Sequence, residues 1–322
     1  MKPMISVVIP TAYRPQWLPR AVDSALSGLS ASEVEVIVVP NGADVTWANA
    51  MERFKKNRAV RVLRVREANA NVARNVGLHA ARGELVRFLD DDDYLCAAGS
   101  NKQYDVMQST GADIVSGSVE LRDEKNNIFD VWNQPKFDDY VEAMLGPWRR
   151  CQPTAHVYRT KSVNHLTWNP KSNFGQDVEW AINLAASKEF EWIKINDIVG
   201  VWSHHGSSRV STSRNFNAGN VFIHGVLMTA YKHLNSCSRL NDFRKKALIQ
   251  GLWQNVHSSM FLSPLFWMTV VKQIKHIDAS IRPHHPIYNL PVLRYVDPLV
   301  IQYILIPKRW FLYIRNLYNH SR

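Results

Sequence analysis

The sequence predicts an α/β protein: a mostly parallel central sheet flanked by helices, followed by a basic, aromatic-rich helical extension. Three observations predict it. Short β-branched runs alternate with helical spacings from Ile5 to Leu89, the rhythm of strand–helix–strand units. Polar, turn-forming segments close three of the strands. The composition changes after about residue 215, where helical, apolar and basic stretches take over. The predicted domains are therefore 1–215 and 216–322.

The elements follow in order. ISVVIP (Ile5 to Pro10) is a strand stopped by proline. WLPRAVDSALSG places Leu18, Ala21, Val22 and Leu26 on one helical face. VEVIVVP (Val34 to Pro40) is the second strand, MERFKKN a helix end, and VRVLRV (Val60 to Val65) the third strand. NVARNVGLHAARG is a helix with Gly83 as its C-cap, and ELVRFL is the fourth strand. Further on, ADIVSGSVEL and AHVYRT read as strands. QDVEWAINLAAS is a helix opened by acidic residues, and FEWIKINDIVGVWSHHGSS reads as strand, turn, strand and polar loop.

Sheets of this kind bind ligands beyond the carboxyl ends of their strands. PTAYR follows strand one, PNGAD strand two and DDDD strand four, so all three converge on one edge. No GxGxxG follows strand one, which disfavours a dinucleotide site. The 322-residue chain is 46% hydrophobic with a net charge of +11, which suits a large core and an anionic partner. Its three cysteines are widely spaced, without metal-ligand spacing or a disulfide framework, and fit a reducing compartment. The first apolar run is too short for a signal peptide, and no stretch is long and apolar enough to span a bilayer.

Asp90 to Asp93 pose the sharpest question, because neighbouring carboxylates repel one another. At the ligand edge they suit a hard divalent cation, Mg²⁺ or Mn²⁺, that also bridges a diphosphate. In isolation such a run also reads as a solvated acidic loop. The glycine and distal glutamate of an EF-hand are missing.

Five segments in order, VVIPTAYRPQWLPRAVDSAL, VEVIVVPNGAD, NVARNVGLHAARGELVRFLDDDD, FGQDVEWAINLA and HHGSS, together resemble family 2 glycosyltransferases with the GT-A fold, over roughly residues 3 to 212. Bacterial surface-polysaccharide enzymes are the nearest in kind. The resemblance implies an inverting hexosyltransferase that moves a sugar from a nucleotide-diphosphate donor, first of all a uridine diphosphate sugar, to a glycan hydroxyl. It implies Mn²⁺ or Mg²⁺ as cofactor. Asp90 and Asp92 match the DXD motif: Asp92 as the main metal ligand, Asp90 beside the ribose, and Asp93 at a further acidic position. Arg74 matches an arginine near the phosphates. Pro10, Thr11, Tyr13, Arg14, Asn41, Asp44 and Asp91 fall among the nucleotide-sugar contacts. Ala12 fills the family's tyrosine slot, so Tyr13 is the stacking candidate. Pro40 stands where many relatives carry a base-reading aspartate. Asn41 or Asp44 stands in for it, or PNG is simply a tight turn. Asp177 matches the general base of the family's ED motif, with Gln176 replacing the first acid. Its other reading is a helix-end residue favoured by the dipole. His204 matches the histidine of HPGS as a metal or diphosphate contact. His205 takes the proline slot, and Ser207 and Ser208 extend the loop.

From residue 251 onward there are eight Lys or Arg against Asp278 and Asp297. Two readings fit: a helical cap packed on its own apolar side, or a surface that lies on anionic lipid. The second suits a lipid-linked acceptor, such as one on polyprenyl diphosphate, and a cytoplasmic enzyme peripheral to the inner face of the membrane, with no nucleic acid as partner. A sugar-nucleotide nucleotidyltransferase is the alternative enzyme, though PTAYRPQW is no glycine-rich activating loop. A non-enzymatic basic protein that binds membrane or nucleic acid leaves the ordered motifs unexplained.

Overall fold

Seven consecutive buried residues make β1 (Ile5–Thr11) a central strand, and β2 (Val34–Pro40) is buried in the same way. Continuous apolar runs of this kind belong inside a sheet covered on both faces. The computed structural model describes residues 2–206 and 216–319. The chain divides into two compact units, Met1–Tyr140 with Arg150–Ser208, and Val141–Arg149 with Arg209–Arg322.

The first unit contains α1 (Leu18–Leu26), α2 (Trp47–Ala50), β3 (Val60–Val62), α3 (Ala70–Ala80), β4 (Leu85–Phe88), β5 (Tyr94–Leu95), α4 (Ala97–Thr110), β6 (Ile114–Arg122) and β7 (Ile128–Trp132). The chain leaves this unit in α5 (Tyr140–Leu145) and returns for β8 (His156–Arg159), α6 (Thr160–Val163), α7 (Gln176–Ser187) and β9 (Trp192–Ser203). Among the described residues these strands form one nine-stranded sheet in the order β3-β2-β1-β4-β8-β6-β9-β5, with β7 beside β6. The β3-β2-β1-β4 half is parallel, as the sequence predicts. Beyond it the sheet is mixed, because β8 runs antiparallel to both β4 and β6.

Register sets the ligand edge. Ile5 pairs with both Val34 and Leu85, and Thr11 lies opposite Pro40. The three strands therefore start level, β1 and β2 end opposite one another, and β4 stops at Phe88, opposite Val8, so the segments after them lie along one edge. Ile5, Val7 and Ile9 pack with Leu18, Ala21, Val22 and Ala25 of α1 in one core. Val8 points to the other face, where α3 approaches so closely that a Cβ on Gly77 would lie 2.2 Å from a Val8 methyl. Asn69 caps α3, its side chain accepting from the Asn71 and Val72 amides.

Some elements differ from expectation. Gly83 is no C-cap: α3 ends at Ala80. Gly83 is instead a close-approach residue, since a Cβ there would lie 2.6 Å from the Ser6 nitrogen. β3 is shorter than predicted. β9 is one continuous strand, and its predicted turn is absorbed as register shifts against β6 between Ser116 and Val119. The short strands β5 and β7 and the helix α4 were not visible as elements in the sequence.

The second unit is helical: α8 (Phe216–Ser236), α9 (Asp242–Ser259), α10 (Pro264–Asp278) and α11 (Pro298–Asn319). Leu227, Leu248, Leu252, Trp267, Ile274 and Ile301 are buried. Pro264 opens α10 in its first turn. The segment Val141–Arg149 belongs to this unit. Gly251 on α9 admits it, since a Cβ there would fall 2.2 Å from the Leu145 carbonyl oxygen. Among the described residues no helix is long and apolar enough to cross a membrane.

Candidate functional site

The strand-end segments build a polar site at the carboxyl edge of the parallel strands. Thr11, the last residue of β1, donates its hydroxyl to Asp91 Oδ2 at 2.7 Å. Arg14 Nη1 reaches Asp91 Oδ1 at 3.2 Å and Asp92 Oδ2 at 2.7 Å. Between them the backbone of Tyr13 turns into the left-handed region, with φ of 56°. Such a conformation is uncommon for a bulky residue and needs support. Asp44 provides it, accepting the Tyr13 amide at 2.6 Å, and leaves the Tyr13 ring 64% exposed. Pro10 is buried within β1.

Asn41 and Asp44 face inward. Asn41 Nδ2 donates to the Thr11 carbonyl at 2.9 Å. Asp44 Oδ1 accepts from both the amide and the hydroxyl of Thr46. Burial pushes Asp44 up, but these bonds outweigh it and hold its carboxyl below the ordinary value. Both residues brace the loop in this arrangement.

The four aspartates have four different surroundings. Asp90 keeps a 31% exposed side chain and accepts from Arg74 Nη2 at 2.7 Å. Asp91 is buried against Thr11 and Arg14. Burial drives its pKa up to about 7 against the opposing charge of Arg14. Burial likewise pulls Arg14 down, but Asp92 and Asp91 reverse this and leave the guanidinium more basic than usual. Asp92 Oδ2 also lies 2.8 Å from His205 Nε2, and the Asp92 carbonyl accepts from Arg20 at 2.6 Å. Asp93 is a brace: Oδ2 accepts from Gln152 Nε2 and Thr154 Oγ1, and Oδ1 from the Ser203 amide.

One oxygen from each of Asp90, Asp92 and Asp93 can be chosen so that all three lie within 4.8 Å of one another. An all-oxygen set of this size fits a hard divalent cation. Of the three, Asp90 is the most exposed, while Asp92 and Asp93 are buried.

Arg74 ties this cluster to α7. Its guanidinium lies 4.6 Å above the Trp168 ring, and Nη1 donates to Asn71 Oδ1 at 3.1 Å and to Gln176 Oε1 at 3.2 Å. Gln176 opens α7, directly before Asp177. Asp177 is held above the ordinary carboxylate value, first by burial and then by the charge of Asp90, against the Val178 amide and Arg74.

Of the two histidines, His205 lies against Asp92. His204 packs against Trp202 at 4.4 Å and Phe129 at 5.0 Å. His205 turns to Asp92 and stacks on Trp17 at 3.9 Å. The backbone is extended here and side chains alternate, so His204 follows Trp202 to one side and His205 follows Ser203 to the other. Trp17, Arg20, Gln152, Thr154 and His205 thus join the site without having been picked out by the sequence. Ser207 and Ser208 lie outside the described residues.

Comparison with known proteins bears on this arrangement. Residues 6–167 match the profile described as glycosyl transferase family 2, which covers half of the chain. The chain belongs to this family. It is 29% identical over 212 residues to the uncharacterized glycosyltransferase EpsJ of Bacillus subtilis, covering 61% of this chain and 60% of EpsJ. It is 26% identical over 141 residues to the poly(ribitol-phosphate) beta-N-acetylglucosaminyltransferase TarP of Staphylococcus aureus, covering 42% of this chain and 43% of TarP. The matches thus span about half the length of these relatives. Among solved structures, residues 1–349 of S. aureus TarS in complex with UDP-GlcNAc superpose with a TM-score of 0.68, 15% identity and coverage of 96% of this chain and 91% of that one. The shared fold is GT-A.

Proposed function

We propose that the protein is an inverting hexosyltransferase that moves a sugar from a nucleoside diphosphate donor to a hydroxyl of a glycan acceptor in bacterial surface polysaccharide synthesis. A uridine diphosphate sugar is the first choice of donor, supported by the UDP-GlcNAc in the TarS complex. The observation that carries this reading is the bridge made by Arg74. It bonds Asp90 on one side and Gln176, the neighbour of Asp177, on the other. The acidic cluster is thereby tied to the first residue of α7, the helix that carries the candidate base, within the fold of the family.

Asp92 and Asp90 would hold Mn²⁺ or Mg²⁺, which when bound neutralises charge on the departing diphosphate. Thr11 and Arg14 position the aspartates by direct bonds, and Arg74 fixes Asp90. The exposed Tyr13 ring offers a face on which the nucleotide base can stack. His205 orients the Asp92 carboxylate. Asp177 takes the proton of the acceptor hydroxyl as its oxygen bonds to the anomeric carbon. The bond from that carbon to the diphosphate breaks on the opposite face, which inverts the configuration. A base raised above the ordinary carboxylate value accepts that proton more readily.

A lipid-linked acceptor and peripheral attachment to the inner face of the cytoplasmic membrane complete the proposal. The support is α11, whose Val300, Tyr303, Ile304, Trp310, Phe311 and Ile314 are exposed at helical spacing, alongside Lys308 and Arg315. Aromatic and aliphatic groups flanked by cations suit an anionic interface. The test is nucleotide release from a panel of nucleotide sugars with Mn²⁺. Release from a uridine diphosphate sugar that stops in excess EDTA is expected. Binding of none of the panel would overturn the reading.

A further inference from the structure

The second unit encloses a cavity of about 530 Å³ lined by the Pro147–Trp148 corner, one side of α9 and the Pro283–Pro291 segment. This lies within the size range of small-molecule sites, on the order of 300–1,000 Å³. No Asp, Glu, Lys or Arg lines it. Its wall combines the Trp148 ring, the amides of Gln254 and Asn289 and the imidazoles of His257, His284 and His285, and is backed by the buried rings of Trp253 and Tyr288. Trp148 is 53% exposed. Trp253 is buried, and its indole N–H has no hydrogen-bond acceptor among the described residues. A buried donor in that state is costly, and the ring that carries it backs the cavity wall.

The walls are built to stay in place. Gly251 lets the Val141–Arg149 segment lie directly on α9, which fixes Trp148 close to the helix that carries Trp253. Arg149 clamps its own turn through the Met144 and Leu145 carbonyls, each at 3.1 Å. On another side, Gln302 donates to the Tyr288 hydroxyl and accepts from Arg309 Nη1 at 2.6 Å, while Arg309 Nη2 lies 2.8 Å from His257 Nδ1. Burial, together with the charge of Arg309, pushes His257 down to about 3, so this part of the wall is uncharged at neutral pH.

We propose that this cavity binds an uncharged sugar ring of the acceptor glycan. The exposed Trp148 indole face matches the apolar face of a pyranose. The exposed amides of Gln254 and Asn289 and the imidazoles of His284 and His285 supply donors and acceptors for its hydroxyls. An acyl chain would use the Trp148 ring but leave the amides and imidazoles unanswered. The proposal rests on the glycosyltransferase reading for its source of glycan, but the binding it describes does not need the transfer reaction.

The test is capture of the full chain on a glycan microarray, with donor binding measured on the same preparations by calorimetry with a uridine diphosphate sugar and Mn²⁺. The intact chain is expected to capture a subset of neutral glycans. Trp148→Ala should weaken that capture by roughly tenfold, about 1.4 kcal/mol, and leave donor binding unchanged. Asn289→Ala removes an exposed amide from the wall and should also weaken capture. Trp148 and Asn289 are both exposed, so neither replacement is expected to disturb the fold. Capture that is indifferent to Trp148→Ala, or no capture of any glycan by the intact chain, overturns the proposal. Capture that depends on Trp148 in a protein that binds no nucleotide sugar overturns the donor reading and leaves the cavity assignment standing.

Discussion

His205 Nε2 lies 2.8 Å from Asp92 Oδ2, in a ring stacked on Trp17, while its chain neighbour His204 is packed against Trp202. His205→Ala should therefore lower transfer and raise the Mn²⁺ concentration needed for half-maximal rate. About 10–100-fold is expected for a partner that orients a metal-binding carboxylate. His204→Ala should cost less. A rate assay across a Mn²⁺ titration decides. The reverse ranking would return His204 to the role that the sequence suggests.

Asp92→Ala and Asp90→Ala separate the two carboxylates. Asp92 should be the more damaging, since it is buried beneath Arg14 and His205. Metal-dependent donor binding should fall in both. Asp93→Asn is expected to act differently, by loosening the bonds from Gln152, Thr154 and Ser203. Its signature is a lower thermal midpoint. Normal turnover by Asp92→Ala in the presence of EDTA would remove the metal from the proposed reaction.

Asp177→Asn keeps the shape and removes the base. Turnover should drop by ~10²–10⁴-fold, with donor affinity retained. The rate of the parent should fall on acidification as Asp177 takes up a proton, at a pH above the ordinary carboxylate value of 3.8 because burial and Asp90 raise it. A parent-like rate in the variant would place the base elsewhere.

His156 gives a stability prediction independent of catalysis. Its Nε2 bonds the Arg150 carbonyl at 2.6 Å, and its Nδ1 bonds Ser116 Oγ at 2.7 Å, which in turn accepts from Trp192 Nε1. Burial pushes its pKa from 6.5 down to about 4. Below 6.5 the unfolded chain takes up a proton that the folded chain refuses. The stabilisation is therefore full above pH 6.5 and lost as the pH falls towards 4, roughly 3 kcal/mol in all. Urea unfolding at pH 7 and pH 4.5 should show a smaller pH dependence in His156→Gln than in the parent. Equal slopes would contradict this account.

For α11, Ile304→Ser with Phe311→Ser should abolish sedimentation with anionic vesicles and leave the circular dichroism spectrum unchanged, because both side chains are exposed. Deleting the helix is a poorer test, since Ile301 and Gln302 are buried. A chain that ignores such vesicles at low salt has no membrane surface here.

The parallel half of the fold was legible because β1, β2 and β4 are short, mostly apolar runs followed by polar segments. The convergence of Thr11, Arg14 and the aspartates followed from that register. What escaped depended on contacts between distant residues. α4 has a weakly amphipathic sequence, and β7 is exposed along most of its length, so neither presents a clear period. The single strand β9 reads as two because Asn196 and Asp197 look like a turn, whereas pairing with β6 absorbs them. The roles of His204 and His205 turn on which side of an extended chain each faces. That is set by Trp202 and Trp17, and no local pattern in HHGSS distinguishes them. The bond from the left-handed Tyr13 amide to Asp44 joins residues 31 apart and could not be read from PNGAD alone.

The interruption of the first unit by Val141–Arg149 bears on how such a protein can be inherited. The chain leaves that unit after Tyr140, re-enters at Arg150 and leaves again beyond residue 206. Val141, Met144 and Leu145 are buried, so a gene cut once between the units would strand these side chains without the helices that cover them. Exchange of the helical unit between relatives by a single crossover is thereby penalised. The two halves should descend together, and a hybrid enzyme will need the 141–149 segment taken from the same parent as its helices.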